Sequence, residues 1–421
     1  MTVHTEPKNI VIIGGGIIGC TSAYMISHHL SFDPSKTSIT LLEATKIAGG
    51  ASGKAGGLLA LWAYPSSIVP LSYRLHKELA DKHGGAERWG YRAVYCGQLE
   101  TKGRSVTGPT VNGKEDRPTD EADGGALNEN GAESVSLQKR SKEALAMLRA
   151  GGVPKGLDWV VPNADMAYDD MGNPTNTAQV HPYLFTTSMA ELAQEKGVKI
   201  VYGAATSIDH SSNAVTGVTY EDKETGESKT LEADTVVLSA GPWTQQVYPP
   251  APIAALRAHS VTIRPSRPVS AYALFTHIIM PGDKKTGRKA KGVTPEIYAR
   301  PNNEVYACGE GDHLVPLPAT TDLVSVDQQR CQDIVDQVSS ISDELRDGEV
   351  TARQACYLPN VSAGGGPLIG ETGIKGFIMA AGHTCWGIQN GPGTGKLVSE
   401  FVWEGKAKSA KIGSLDPRSY M

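Results

Sequence analysis

A glycine cluster near the start of the chain, Gly14-Gly15-Gly16-Ile17-Ile18-Gly19, sets the tightest limit on what the sequence can fold into. It follows Asn9 to Ile13, a short apolar run that reads as a buried strand, and precedes a helical stretch from Ile17 to about Leu30. Ser31 to Thr37 then forms a loop with Asp33-Pro34, and Ser38 to Leu42 reads as a second strand ending on Glu43. This is a complete βαβ opening, and the spacing Gly14-x-Gly16-x-x-Gly19 gives each glycine a task. The first allows a tight turn, the second lets a pyrophosphate approach the backbone, and the third lets helix and strand pack closely. Free N–H groups at the helix start meet the phosphates, and Glu43 is placed to accept ribose hydroxyls. The chain therefore opens on a dinucleotide site, although this motif alone does not choose between NAD and FAD.

The remaining composition narrows the setting. A chain of 421 residues is long enough for one large two-part enzyme or two ordinary domains. Its 40% apolar and 20% charged residues read as a soluble globular protein, and the formal charge of −5 argues against a general nucleic-acid binder. No apolar run is long enough to span a bilayer. Met1 to Lys8 is polar, which predicts no secretory signal. Cys20, Cys96, Cys308, Cys331, Cys356 and Cys385 are scattered, with no C-x-x-C pair and no metal-ligand spacing, and read as reduced thiols. The ending Arg418-Ser419-Tyr420-Met421 is not a Ser-Lys-Leu peroxisomal address, so the expected location is cytoplasmic.

Further along, Gly49 to Leu61 is glycine-rich and apolar, too flexible for an ordinary helix start. Leu71 to His83 reads as an amphipathic helix and Ala93 to Glu100 as a strand. Gly103 to Arg140 is polar with almost no aliphatic residues, and reads as a disordered surface insertion, with a substrate lid as the sharper alternative. A helix over Tyr183 to Lys196 is ended by Gly197, and strands follow at Val198 to Tyr202 and Thr235 to Leu238. Val261 to His277 and Glu296 to Cys308 read as strands of a second, more antiparallel layer, and Gly376 to Ala380 as a last buried strand. The expected fold is α/β: a Rossmann-type, doubly wound dinucleotide domain from 9–95, 180–245 and 350–410, and a mixed-sheet substrate domain from 96–179 and 246–349.

Three later segments favour FAD. Gly49-Gly50-Ala51-Ser52-Gly53-Lys54-Ala55-Gly56-Gly57-Leu58-Leu59 can run along a bulky flat ligand without clashing. Asp234 to Gly241 adds a strand ending in a glycine turn. Ala381-Gly382-His383-Thr384-Cys385-Trp386-Gly387-Ile388 sits before a helix whose N–H groups suit the negative charge of a reduced flavin. These blocks, with HPYLFTTSMAELAQEKGVKI, TVVLSAGPW, PEIYARP and GHTCWGIQNGPGTGK in their order, resemble the D-amino-acid oxidase, glycine oxidase and sarcosine oxidase superfamily, and most of all its fungal members. The resemblance covers nearly the whole chain outside Gly103 to Arg140. It implies FAD as cofactor, removal of hydride from a C–N bond of an amine or amino-acid-like substrate to give an imine, and O2 as the acceptor, giving hydrogen peroxide. It also implies that Gly14, Gly16, Ile17, Ile18, Gly19, Glu43 and Ala44 meet the ADP part. Ala51, Ser52, Gly56, Gly57 and Leu58 would line the pyrophosphate and ring, with Gly241 at the turn beside them. Thr206 would meet the adenine through its backbone. His383, Thr384, Cys385, Trp386, Gly387, Ile388 and Gln389 would face the pyrimidine end of the ring system.

The sequence departs from the family where a substrate carboxylate is usually held. Leu358 in Cys356-Tyr357-Leu358-Pro359 stands where the family's amino-acid oxidases carry an arginine, and Cys385 stands where glycine oxidase carries a second one. A leucine cannot replace a guanidinium fork, so simple D-amino acids and glycine are expected to be poor substrates. Tyr298 matches a substrate-facing tyrosine, and Arg300, Lys54, Arg257 and His259 are the remaining candidates for polar contacts. Cys356 falls where sarcosine oxidases bond covalently to the flavin, with a packing thiol as the alternative. Besides an amine oxidase, the sequence admits a flavin dehydrogenase with another electron acceptor, and a flavin-fold protein serving intracellular trafficking or interactions with little turnover.

Overall fold

The computed structural model describes residues 8–105, 153–282 and 289–421. Most of the polar segment expected as a disordered insertion, 106–140, lies outside the described residues; of its first residues, Arg104 pairs with Asp343 at 2.6 Å.

Two large sheets organise the chain. The first has eight strands in the order Ser228–Glu232, Ala214–Asp222, Lys199–Ser211, Ser38–Glu43, Asn9–Ile13, Thr235–Leu238, Phe377–Ala381, Leu368–Glu371. The five central ones, from Lys199–Ser211 to Phe377–Ala381, pair in parallel, and both edges are antiparallel. Asn9–Ile13 is apolar almost throughout because both its faces are covered, as in parallel sheets generally. Ile10 and Ile12 pack under the helices Ile17–Ser27, Pro182–Gln194 and Gly387–Glu404. Val11 and Ile13 pack on the other side, against Val218 and Tyr220 of the antiparallel ribbon and against Val247 and Ala251. One face is therefore helical and the other carries a β-ribbon.

The second sheet also has eight strands, in the order Glu349–Val361, Ile253–Arg264, Glu304–Asp312, Glu296–Arg300, Tyr272–Met280, Tyr95–Lys102, Ala167–Gly172, with Lys291–Val293 beside Tyr272–Met280. Side chains alternate across a strand, so Ile297, Ala299, Val305 and Ala307 join the core under the helix Gln328–Ser339, with Cys331, Ile334 and Val338. Glu296, Tyr298, Arg300, Tyr306 and Cys308 take the opposite face. A small sheet of Leu58–Ala60, Thr177–Gln179 and Arg92–Ala93 lies where the two halves meet.

Four expectations are corrected. Glu349–Val361 belongs to the second sheet, so that sheet extends past residue 350, because twelve residues of this strand pair with Ile253–Arg264. The single strand expected over Val261 to His277 is two strands, Ile253–Arg264 and Tyr272–Met280, broken at Pro265 and Pro268. The first helix stops at Ser27, short of Leu30. The glycine-rich stretch after Glu43 contains a one-turn helix, Ala51–Lys54, and the strand Leu58–Ala60.

The glycine loop has the tightest packing. Gly14 has φ +104°, open to a residue without a side chain, and a Cβ there would lie 2.5 Å from the Ser239 carbonyl oxygen. A Cβ on Gly19 would sit 1.9 Å from the Gly14 carbonyl oxygen. Gly19→Ala is therefore expected to lower unfolding stability by ~1–3 kcal/mol, the usual cost of forcing a methyl into a packed interior. Urea unfolding of the apoprotein measures it, and an unchanged midpoint would show that the helix can back away from the strand.

Candidate functional site

Two cavities open into one another. The first is a long cleft over the carboxyl ends of the parallel strands, where ligands bind open α/β sheets. Gly14, Gly16, Ile17 and Ile18 line it at the start of the first helix, with Glu43 and Ala44 at the end of the next strand. Ala51, Ser52 and Gly241 line it too, as do His383, Thr384, Cys385, Gly387 and Ile388. Ser52 Oγ accepts the Ile17 N–H at 2.9 Å, fixing the helix start against the neighbouring turn. Gly241 has φ +55° and no atom within 4 Å of where a Cβ would stand, so the backbone there borders open space.

Glu43 does more than face the cleft. Its carboxylate accepts the Gly15 N–H at 2.7 Å and the Thr45 N–H at 2.8 Å, so the acid holds the glycine loop as well as bordering the ligand space. His383 is buried, with Nε2 2.9 Å from Thr394 Oγ1, and burial lowers its pKa to about 3, leaving it neutral. Gly387, beyond the short turn Thr384–Trp386, starts the long helix Gly387–Glu404, whose first amides point into the cleft end.

The second cavity, about 250 Å³, lies against the face of the second sheet opposite the helix Gln328–Ser339. It shares Ala51, Ala55, Leu358, Cys385 and Ile388 with the cleft, so these residues mark the junction. Lys54, Gly56, Gly57, Leu58, Tyr298, Cys356 and Trp386 line this second cavity. Tyr298 donates its hydroxyl to Glu296, stacks on Tyr306 with centroids 5.9 Å apart, and has its pKa raised well above 10 by burial and by the Glu296 charge. Gly56 must lack a side chain: its Cβ would fall 2.0 Å from the Tyr298 ring. Lys54 donates to the Ala355 carbonyl at 2.8 Å, and burial lowers its pKa. The Cys356 thiol is pushed up to about 11 by burial, with Lys54 pulling the other way.

Several expected residues lie elsewhere. Thr206 is exposed and lines neither cavity; a register shift between Ala205 and Ser207 turns it toward the Thr219 carbonyl, and Gly203, Ala204 and Ala205 line the cleft instead. Gln389 lines neither cavity and accepts the Ala60 N–H at 2.8 Å. Gly19 packs behind the loop. Arg300 is buried and does not reach the cavity. It donates to the carbonyls of Ala55 and Gly56 and pairs with Glu304 at 2.8 Å, which makes it a positioning residue for the junction segment. Arg257 and His259 flank Ala258, which does line the cavity; alternation puts both on the far face, where Arg257 pairs with Asp312 at 3.1 Å. The residue missed from sequence is Glu296. It lies two before Tyr298 on one strand, and period-two alternation alone would have placed it on the same wall.

The family model for FAD dependent oxidoreductase matches residues 9–401. The chain belongs to this FAD-dependent oxidoreductase family. TDA3 of Saccharomyces cerevisiae is 35% identical over 504 aligned positions, covering 98% of this chain and 95% of that protein. A relative from Schizosaccharomyces pombe is 36% identical, covering 98% of each chain. Neither name states a substrate. Glycine oxidase from Bacillus cereus shares the fold with a TM-score of 0.68 at 18% identity, over 95% of this chain and 96% of that one. NikD, an amino acid oxidase of nikkomycin biosynthesis, has the same TM-score at 14% identity, over 98% of each. FAD is thus the cofactor, and the cleft fits it: the start of the first helix borders it, open backbone at Gly241 leaves room, and the neutral His383 lies at its end. No helix among the described residues is long and apolar enough to cross a membrane.

Because Glu43 also anchors the loop, its loss reaches beyond the cofactor. Glu43→Ala is expected to cost the apoprotein ~1–3 kcal/mol as well as flavin affinity, since two buried amides lose their acceptor. Thermal melts with and without added FAD separate the two effects; an apoprotein as stable as wild type would leave the ribose as the only partner.

Proposed function

We propose that the protein oxidises a C–N bond of an amine or modified amino acid to an imine, with O2 as electron acceptor. The observation that carries this reading is the junction: among the described residues the FAD cleft and the second cavity share Ala51, Ala55, Leu358, Cys385 and Ile388 in their linings, so a carbon held in the cavity stands next to the flavin site. On this reading the first helix start and Ser52 hold the pyrophosphate, Glu43 and Ala44 the ribose, and His383 to Ile388 the pyrimidine end of the ring. Bound FAD supplies a two-electron acceptor: the hydride leaves the carbon bearing nitrogen, the nitrogen lone pair closes the C=N bond, and oxygen takes the electrons to give hydrogen peroxide.

The chain's own residues orient the substrate and keep water out. Arg300 clips the Ala55–Gly56 carbonyls to the second sheet, and Gly56 lies on the Tyr298 ring, so the junction segment is fixed between both halves. Lys54 stands on the one-turn helix beside the junction. Its Nζ is held by the Ala355 carbonyl, and burial lowers its pKa from the ordinary lysine value. Leu358 occupies the junction itself, where an arginine would have met a carboxylate.

The purified protein is expected to be yellow, and its flavin to bleach anaerobically with a suitable amine. Glycine and D-alanine should reduce it about ten- to a hundredfold more slowly for each missing guanidinium contact, at ~1.5–3 kcal/mol apiece. Leu358→Arg is expected to raise the rate with these amino acids. Rapid reduction of the wild type by D-alanine would mean that a carboxylate is anchored without that arginine, and oxygen uptake in air identifies the acceptor.

For Cys356, we propose a noncovalent flavin. A thiol with its pKa near 11 is almost wholly protonated at neutral pH, and only the thiolate bonds to carbon readily. Acid precipitation should leave the yellow colour in the supernatant. Colour retained in the pellet, and lost from it in Cys356→Ala, would establish the thioether instead.

A further inference from the structure

A histidine taken wholly out of water loses its hydration, and the contact it keeps in exchange shows what it does. His76 lies on the inward face of the helix Val69–His83, with Ser72, Leu79 and Ala80, where an aliphatic residue would be ordinary. It is fully buried, and its ring packs on Phe185 with centroids 4.8 Å apart. Its Nε2 lies 2.9 Å from the Ile388 carbonyl oxygen. A carbonyl only accepts, so Nε2 carries the proton and donates. Burial lowers the pKa of His76 to about 4, against the pull of the Ile388 and Gln389 backbone, so the ring is neutral.

The reason for this bond lies four residues beyond its acceptor. Pro392 sits inside the helix Gly387–Glu404 and has no N–H, so the helical bond that the Ile388 carbonyl would accept from residue 392 does not exist. The proline ring also pushes that carbonyl aside. His76 takes it from a neighbouring helix. Side chains pin the rest of the turn: Gln389 Oε1 accepts the Ala60 N–H at 2.8 Å, and Asn390 Nδ2 donates to the Tyr64 carbonyl at 2.9 Å. Gly387 and Ile388 line the cleft, and Ile388 lines the second cavity as well. A helix start loosened by proline therefore borders the cofactor site, with its geometry set from outside the helix.

We infer that His76 is a positioning residue for the flavin, raising its reduction potential through the peptide group that joins Ile388 to Gln389. The Ile388 carbonyl and the Gln389 N–H belong to that one group. A donor on the carbonyl draws electron density toward its oxygen and makes the N–H more positive, as hydrogen bonds in series strengthen one another. The group lies in the first turn of the helix, so it adds to the positive end of the macrodipole. Reduction puts negative charge on the pyrimidine end of the flavin, and a more positive helix start there favours the reduced form over the oxidised one. The inference rests on the ring placement proposed above, with the pyrimidine end at His383 to Ile388, and not on the proposed substrate or acceptor.

The test measures the flavin potential of the FAD-loaded protein by anaerobic dithionite titration against a reference dye, which needs neither amine nor oxygen. His76→Leu fills the place without a donor and should lower the equilibrium constant for flavin reduction about tenfold, a fall of about 30 mV for a two-electron couple. His76→Gln brings an amide N–H to nearly the same reach and should recover most of that loss. In a Pro392→Ala background residue 392 supplies the helical N–H, so adding His76→Leu should change the constant about twofold at most. Equal potentials in the wild type and His76→Leu, or equal falls in both backgrounds, would leave His76 as core filling and overturn the inference. The unmutated protein gives a reading that no variant's folding can spoil. The buried His76 Nε2–H proton, followed by NMR with isotope-labelled histidine, should shift when the flavin is reduced, and an unmoved resonance would also overturn the inference. Ring placement is checked separately. A Cβ on Gly387 would meet no atom of another turn closer than 3.8 Å, so Gly387→Val suits the apoprotein while occupying the cleft. Undiminished flavin uptake by Gly387→Val would sink the placement and the inference with it. Lost uptake there, with His76 potentials unmoved, would sink the inference alone.

Discussion

The structure depends on a contact that exists because a side chain is missing. The first helix lies so close to the glycine loop that a methyl group at Gly19 would overlap the Gly14 carbonyl. That approach brings the helix start to the strand ends, at the border of the cleft. Glu43 then locks the loop from the neighbouring strand, and Ser52 locks the helix start from the following turn. Three neighbouring segments are thereby fixed around one end of the cleft. No lysine or arginine is among the described residues that line it, and its glycine end is backbone positioned by packing.

The second sheet is coupled to this apparatus through a few atoms. Arg300 reaches from its strand to two carbonyls of the junction segment, and its guanidinium lies 4.7 Å over the Tyr306 ring. A buried arginine is costly unless its donors are used, and here Glu304 and two carbonyls use them. The arginine therefore serves geometry. Its charge is neutralised beneath the cavity wall, while its hydrogen bonds set the distance between the cofactor half and the substrate half.

What could be read from sequence follows how local each feature is. The βαβ opening, the glycine spacing and the acid after the second strand are local, and so were legible from a few dozen residues. The assignments that failed needed pairing registers. Thr206 sits at a bulge that turns its side chain to the Thr219 carbonyl and leaves Gly203, Ala204 and Ala205 to line the cleft. Arg257 and His259 looked available until their strand placed Ala258, between them, on the cavity side. Glu296 was within reach of a period-two argument from Tyr298.

Two substitutions relative to the family's amino-acid oxidases acquire a common meaning from the cavity. Leu358 and Cys385 both border the junction, so losing their positive charges removes a carboxylate anchor at the place where the substrate meets the flavin. Neither change disturbs the cofactor cleft, whose contacts come from backbone and small side chains. A fold whose cofactor half relies on glycine packing is free to vary the charge of its substrate half, because the two share only a narrow junction of small and apolar residues. Substrate choice can then vary while the redox chemistry stays with the flavin.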